Sequence, residues 1–325
     1  MVKEGRYESG TKPITTPTGG IIMDRRTFIA TGLAAGAAAV SKAAVKAEEA
    51  PSAKGKFKLK YAPGFGMFKN LAGDDHIDQM KFMADEGFTA MFDNGLPDKP
   101  KELQDKIVKE AERLGLAIGP FAAYAEFKKP TFVTRDEATR AAILEKIKSA
   151  VEVGKRLNVK YAIIAPGTYA TNMEWAYQTA NLVENLKHCV KVCEPAGFVL
   201  LIEPLNNWND HPGMFLSKIA QAYEICKAVN SPSCKIINDI YHQQITEGNL
   251  IPNIDMAWDE IAAFHIGDTP GRKEPTTGEI NYRNIFRHIH TKGYKGVLCM
   301  EHGNSKPGKE GEKAVIEAYR SCDNF

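Results

Sequence analysis

The chain has 325 residues, 43% of them hydrophobic and 25% charged, with a mean hydropathy of −0.31. That composition excludes an integral membrane protein, a disordered chain and a collagen-like repeat. The formal net charge of +2 misleads, because Lys3, Arg6, Lys12, Arg25, Arg26, Lys42 and Lys46 face only Glu4, Glu8 and Asp24 in the first 47 residues. The remainder is mildly acidic and offers no electrostatic footprint for nucleic acid.

The first element in chain order is a targeting segment. Asp24-Arg25-Arg26-Thr27-Phe28-Ile29 sets two arginines before an apolar run, Phe28 to Val40. A bilayer-spanning helix needs about 20 apolar residues, so this run is too short to span. It reads as the apolar region of a secretory signal, and the arginine pair points to the twin-arginine route. Small-residue cleavage patterns follow at Ser41-Lys42-Ala43 and Val45-Lys46-Ala47. Met1 and Met23 are both candidate starts. The expectation is an exported, periplasmic protein without stable membrane insertion. Its signal covers residues 1–47, a linker 48–56, and one catalytic domain 57–325.

From Phe57 onward apolar, strand-like runs alternate with amphipathic stretches. The strand candidates are Phe57–Tyr61, Thr89–Asp93, Ala117–Phe121, Tyr161–Ala165, Val199–Glu203, Lys235–Asp239, Ile261–Gly267 and Gly296–Glu301. Helices are expected at His76–Glu86, Lys101–Leu114, Glu137–Leu157, Met173–Glu194, Leu216–Val229, Arg283–Lys292 and Glu310–Arg320. Gly115 and Gly293 follow two of them as left-handed caps. The sixth crossover, Gln243 to Glu260, is irregular and contains Pro252. The pattern predicts a single (β/α)8 TIM barrel. An open doubly wound sheet is the alternative. No G-x-G-x-x-G follows the first strand, which weakens a dinucleotide reading.

In such a barrel the C-terminal strand ends face the active site. Strands five to eight end in Glu203, Asp239, His265 and Glu301. Their spacings are each close to one βα repeat, so the four side chains are expected to converge. Three buried carboxylates would repel one another, and a divalent cation resolves that conflict. An oxygen-rich set with one nitrogen suits Mn²⁺, Mg²⁺ or Co²⁺, and Zn²⁺ is also compatible.

These strand ends resemble a known family. Glu203-Pro204-Leu205-Asn206, Asp239-Ile240-Tyr241-His242-Gln243, His265 through Arg272, and Thr277 through Tyr282 are similar to the hydroxypyruvate isomerases. That family belongs to the xylose isomerase-like barrels, with ketose 3-epimerases as cousins. The resemblance implies one divalent ion held by Glu203, Asp239, His265 and Glu301, with Glu203 and Glu301 as the acid/base pair. The substrate is then a small hydroxy-carbonyl or sugar molecule, isomerised through an enediolate. Position suggests His242 and Arg272 as substrate-binding residues. It suggests Asp268 as the orienter of His265 or of the loop, and Glu279 as a partner of Arg272 or a closing group. Trp208, Phe65 and Phe68 fall on expected top loops as pocket walls. The chain departs from many relatives in carrying Phe92-Asp93-Asn94 where a glutamate ends the second strand.

Competing readings share the barrel. An exported epimerase or lyase on keto-sugars would use the same residues. An endonuclease IV-like phosphodiesterase would need more strand-end histidines and a basic face. A non-catalytic sugar-binding barrel would not need both glutamates. Relatives often form oligomers, and the sequence leaves a homo-oligomer open. Of six cysteines, Cys226 and Cys234 could bridge in an oxidising compartment, while buried free thiols are the default expectation.

Overall fold

Parallel strands and helices alternate through the computed structural model, which describes residues 55–325. The expected targeting segment and most of the expected linker lie outside the described residues. The strands are β1 (Lys60–Ala62), β2 (Ala90–Met91), β3 (Ala117–Ile118), β4 (Phe121–Glu126) and β5 (Tyr161–Pro166). They continue with β6 (Val199–Ile202), β7 (Cys234–Asp239), β8 (Ile261–Ile266) and β9 (Val297–Met300). Seven pair in the order β1-β9-β8-β7-β6-β5-β4, and β2 pairs with β3. A parallel bridge between Gly64 and Phe92 joins β1 to β2 and closes the ring. The fold is therefore the (β/α)8 barrel, not the open sheet.

The third stave differs from the sequence expectation of one strand, Ala117–Phe121. It is two segments, broken at Gly119-Pro120, that pair with different neighbours. Pro120 has no N–H to donate to a ladder. Gly119 lies so close to β2 that a Cβ there would stand 2.9 Å from Phe92 Cβ. The first stave also starts later than Phe57. The Phe57 N–H donates to Gly87 O at 3.3 Å, and the Lys58 N–H to Asp323 Oδ2 at 2.8 Å. Those groups are spent outside the sheet, and pairing with β9 begins at Lys60.

Helices form close to where the apolar periodicity places them: His76–Asp85, Lys101–Leu114, Glu137–Leu157, Trp175–Cys193, Ile219–Val229, Tyr282–Thr291 and Gly308–Asp323. Asp75 caps the first, its Oδ1 accepting from Ile77 N and Asp78 N. Gly115 and Gly293 adopt φ of +68° and +75°, the left-handed region that glycine enters without a Cβ penalty. The irregular sixth crossover resolves into two short helices, Ile240–Thr246 and Leu250–Met256, with Pro252 in a first turn where no N–H is missed. Among the described residues no helix is long and apolar enough to cross a membrane.

The core has two layers. The larger lies between strands and helices and includes Tyr61, Phe264, Phe286 and Tyr319. The other fills the barrel, with Ile163, Leu201, Ile237 and Ala263 packed together. Side chains alternate faces along a strand, so the residue two places further on points inward again. Two places beyond Leu201, Ile237 and Ala263 stand Glu203, Asp239 and His265. The apolar filling of the barrel ends one layer below these polar groups.

Candidate active site

Strand register brings the polar layer together. Asp239 is the ladder partner of His265, and His265 is the partner of Cys299, two residues before Glu301. One ligand atom from each of Glu203, Asp239, His265 and Glu301 lies within 4.8 Å of all the others. His265 Nδ1 sits at the centre, 2.8 Å from Glu203 Oε1, 2.9 Å from Glu301 Oε2 and 3.8 Å from Asp239 Oδ2. The expected convergence is therefore the geometry of the molecule.

The electrostatics follow from burial and proximity. Burial works to deprotonate His265, but Glu301 and Glu203 overcome it and raise the imidazole well above its ordinary range. Burial raises the Glu203 carboxyl, opposed by His265 and reinforced by Glu301 and Asp239. Burial also works against ionised Asp239, but His242, Arg272 and His265 outweigh it and keep the carboxyl low. Glu301 follows the same balance: burial is outweighed by His265 and Arg272, which hold it far below the carboxylate range. Three carboxylates are thus compensated by one imidazolium and one guanidinium. A divalent cation fits this set, because three oxygens and one nitrogen already point at a common space.

The site opens into a cavity of about 480 Å³. Glu203, Glu301, His242 and Arg272 line it. Asp239 also caps the helix Ile240–Thr246, its Oδ1 accepting from His242 N at 3.0 Å, which aims the His242 ring at the cavity floor. Burial pushes the His242 imidazole down to about 4. Arg272 Nη2 donates at 2.6 Å to both Asp239 Oδ2 and Glu301 Oε2.

Of the two roles expected of Asp268, the loop is the one it fills: it accepts from Thr269 N, Gly278 N and Ile280 N and so shapes the loop that carries Arg272, without touching His265. Other expectations are corrected. Glu279 accepts from Gln244 Nε2 on the surface and not from Arg272. Phe68 is wholly buried in the core, and Trp208 is 75% exposed and outside the cavity. Phe65 lines a neighbouring cleft of about 400 Å³, which shares Glu301 with the main cavity. The aromatic wall of the main cavity is instead Tyr124 and Phe127, with Phe127 stacked on His211 at 5.0 Å.

Sequence reasoning missed Asn94 and His302 as well. Asn94 Nδ2 donates to Glu301 Oε1 at 2.7 Å. Its place at the end of the second stave was the available signal. His302 lines the cavity beside Glu301, and its Nε2 lies 2.9 Å from Tyr319 Oη.

Comparison with known proteins places this arrangement. The family model of the xylose isomerase-like TIM barrel matches residues 80–322. The chain belongs to the xylose isomerase-like TIM barrel family. Hydroxypyruvate isomerase of Escherichia coli (strain K12) is 34% identical over 169 residues, 52% of this chain and 63% of that enzyme. The match thus spans less than two thirds of that relative's length. The 2-oxo-tetronate isomerase of Pectobacterium atrosepticum is 26% identical over 231 residues, 70% of this chain and 86% of the relative. Among solved structures, the 3-keto-D-glucoside 4-epimerase from E. coli superposes with a TM-score of 0.66 at 18% identity. That superposition covers 81% of this chain and all of the epimerase, a likeness of fold.

Proposed function

We propose that this family member is a divalent-metal-dependent isomerase of α-hydroxy carbonyl acids, of the hydroxypyruvate isomerase kind. The observation that carries the reading is the pair Glu203 and Glu301. They approach one buried imidazole from two strands at the floor of a substrate-sized cavity. The named relatives act as isomerases on keto-acids of this type, which supports the same class here.

The chemistry asks for a proton to leave the carbon beside a carbonyl and another to arrive at its neighbour. One glutamate takes the first proton as general base, and the second delivers or relays the other. Asp239 and His265 complete the donor set. Glu203, Asp239, His265 and Glu301 would hold a divalent ion, which would supply Lewis-acid stabilisation of the negative charge that develops on the substrate oxygens. Arg272 presents a planar fork suited to a carboxylate. His242 presents a ring nitrogen to a substrate oxygen. Apolar Ile163, Ala165 and Leu205 line the cavity and limit competing water.

A second reading is favoured by the cavity itself. Its volume of about 480 Å³ and the stacked Phe127–His211 wall have room for a sugar ring. An epimerase or lyase on keto-sugars would use the same proton transfer. Incubation of the Mn²⁺-loaded mature chain in D2O with hydroxypyruvate, ketoses and keto-glycosides, followed by NMR, distinguishes the two. Isomerisation of hydroxypyruvate with deuterium at the α-carbon, lost in Glu203→Gln and Glu301→Gln, supports the first. Exchange only on keto-sugars moves the assignment to the second, and no exchange on any compound rejects both.

We further propose export by the twin-arginine route, on the strength of Arg25-Arg26 and the short apolar run. Cell fractionation should find the protein in the periplasm. Replacing both arginines by lysine should retain it in the cytoplasm; unchanged export would reject the route.

A further inference from the structure

The donor set that would bind a metal is partly engaged by a cation of the chain's own. A single amino group, Arg272 Nη2, donates to Asp239 Oδ2 and Glu301 Oε2, each at 2.6 Å. Both carboxylates belong to the four-residue set. The main chain holds the side chain in place. Arg272 sits at φ +50°, in the left-handed region, directly after Gly271 at φ +97°. Its Nε donates to the Glu301 carbonyl at 2.9 Å, and its guanidinium carbon lies 4.7 Å from the centre of the Tyr241 ring.

The other amino group is mismatched. Nη1 lies 3.0 Å from His242 Nε2. The tautomer of His242 is fixed from its far side. Asn206 Oδ1 accepts from Asn209 N and Asp210 N, so the Asn206 amide nitrogen is the group 2.6 Å from His242 Nδ1. The Asn206 backbone N–H approaches the same ring nitrogen at 3.4 Å. Both are donors, so Nδ1 accepts and the proton of the neutral ring belongs on Nε2. There it confronts an Arg272 N–H at 3.0 Å, donor against donor, with the nearest carboxylate oxygen, Asp239 Oδ2, further off at 3.5 Å. Two carboxylates draw the guanidinium inward while His242 opposes it.

We infer that Arg272 is a built-in counter-ion of Asp239 and Glu301 that a divalent cation displaces on binding, and that its departure frees the Arg272 fork and the His242 Nε2–H together for the substrate. The inference rests on the divalent-metal reading above. A divalent ion brings twice the charge to the same oxygens, and two cations sharing them in a buried site repel strongly. Both side chains line the cavity, so the displaced fork has space to move into. Metal loading and substrate recognition are thereby one coupled event.

The test uses the mature chain, with Mn²⁺ as the probe. Calorimetric titration of the Arg272→Gln variant should show Mn²⁺ binding roughly tenfold tighter than in the wild type. The same variant without metal should melt at a lower temperature, because three carboxylates lose a counter-ion. Arg272→Lys keeps the charge but not the fork and should fall between the two. Crystal structures without and with Mn²⁺ should show the guanidinium leaving Asp239 and Glu301. Unchanged or weaker Mn²⁺ affinity in Arg272→Gln, or a guanidinium still bonded to both carboxylates beside Mn²⁺, overturns the inference alone. Absence of Mn²⁺ binding in wild type and variant overturns the metal reading and the inference with it.

Discussion

Asn94 holds Glu301 from two staves away, its side-chain amide donating to Glu301 Oε1 at 2.7 Å. The other carboxylate oxygen receives His265 and Arg272. Glu301 is therefore fixed by three elements, and Asn94 is the only neutral one. Removing such a supporting partner at a metal site costs about 10–100-fold in activity or metal affinity. Asn94→Ala should lower kcat within that range with little change in KM. Asn94→Asp should be worse, because it sets a like charge against Glu301. Steady-state kinetics beside circular dichroism spectra check both, and an unaltered kcat in Asn94→Ala would remove Asn94 from the working site.

The loop carrying Arg272 depends on Asp268. Its two oxygens accept three backbone N–H groups, from Thr269 at 2.9 Å, Gly278 at 2.9 Å and Ile280 at 3.0 Å. Asp268→Ala strands those donors and should destabilise the protein by about 3 kcal/mol. It should also abolish activity, since Arg272 loses its seat. Urea denaturation and the exchange assay measure the two effects separately. Asp268→Asn, which keeps one acceptor oxygen, should recover part of the stability.

His302 should make the protein less stable in acid. Its Nδ1–H donates to the Gly303 carbonyl at 3.0 Å, leaving Nε2 to accept the Tyr319 hydroxyl at 2.9 Å. Burial lowers the imidazole from 6.5 to about 4. Between those values the unfolded chain binds more protons than the folded one, so stability rises with pH across that window. On acidification the contribution is lost from about pH 6.5 downward and is gone below about pH 4. Unfolding free energy measured from pH 7 to pH 4 should show this slope. The same series on His302→Gln should be flatter, and equal slopes would rule the residue out as the source.

The six cysteines are free and buried, and Cys226 Sγ lies 3.9 Å from Cys234 Sγ. Burial pushes the thiols of Cys189 and Cys193 up to about 12 and that of Cys322 up to about 11. Native protein should therefore react slowly with a thiol reagent at pH 8, and all six should react after denaturation without reductant. A count of four under those conditions would mean that Cys226 and Cys234 are bridged.

Much of the site was legible because local chemistry marks it. Glu203, Asp239, His265 and Glu301 each end an apolar run, and the runs recur at one βα repeat. What was illegible depends on partners. The apolar pattern reads Ala117–Phe121 as one strand, since nothing local says that Pro120 divides it between two neighbours. Phe68 reads as a loop aromatic, and only the packing of β1 and its following helices buries it. Glu279 reads as a companion of Arg272 by proximity in sequence, but Asp268 binds the backbone on either side of it, at Gly278 and Ile280, and its carboxylate meets Gln244 instead.

The sequence alone determined the barrel and its polar floor. Alternation along a strand sets which residues face inward, and that depends only on residue order. Tertiary structure alone decided what surrounds the floor. Asn94 and Glu301 are 207 residues apart in the chain and meet only because the ring of strands closes. The placement of Arg272 between two carboxylates likewise requires a left-handed backbone turn and the arrival of Asp239 and Glu301 from separate strands. Such contacts are set by closure and loop geometry, which no local pattern of residues encodes.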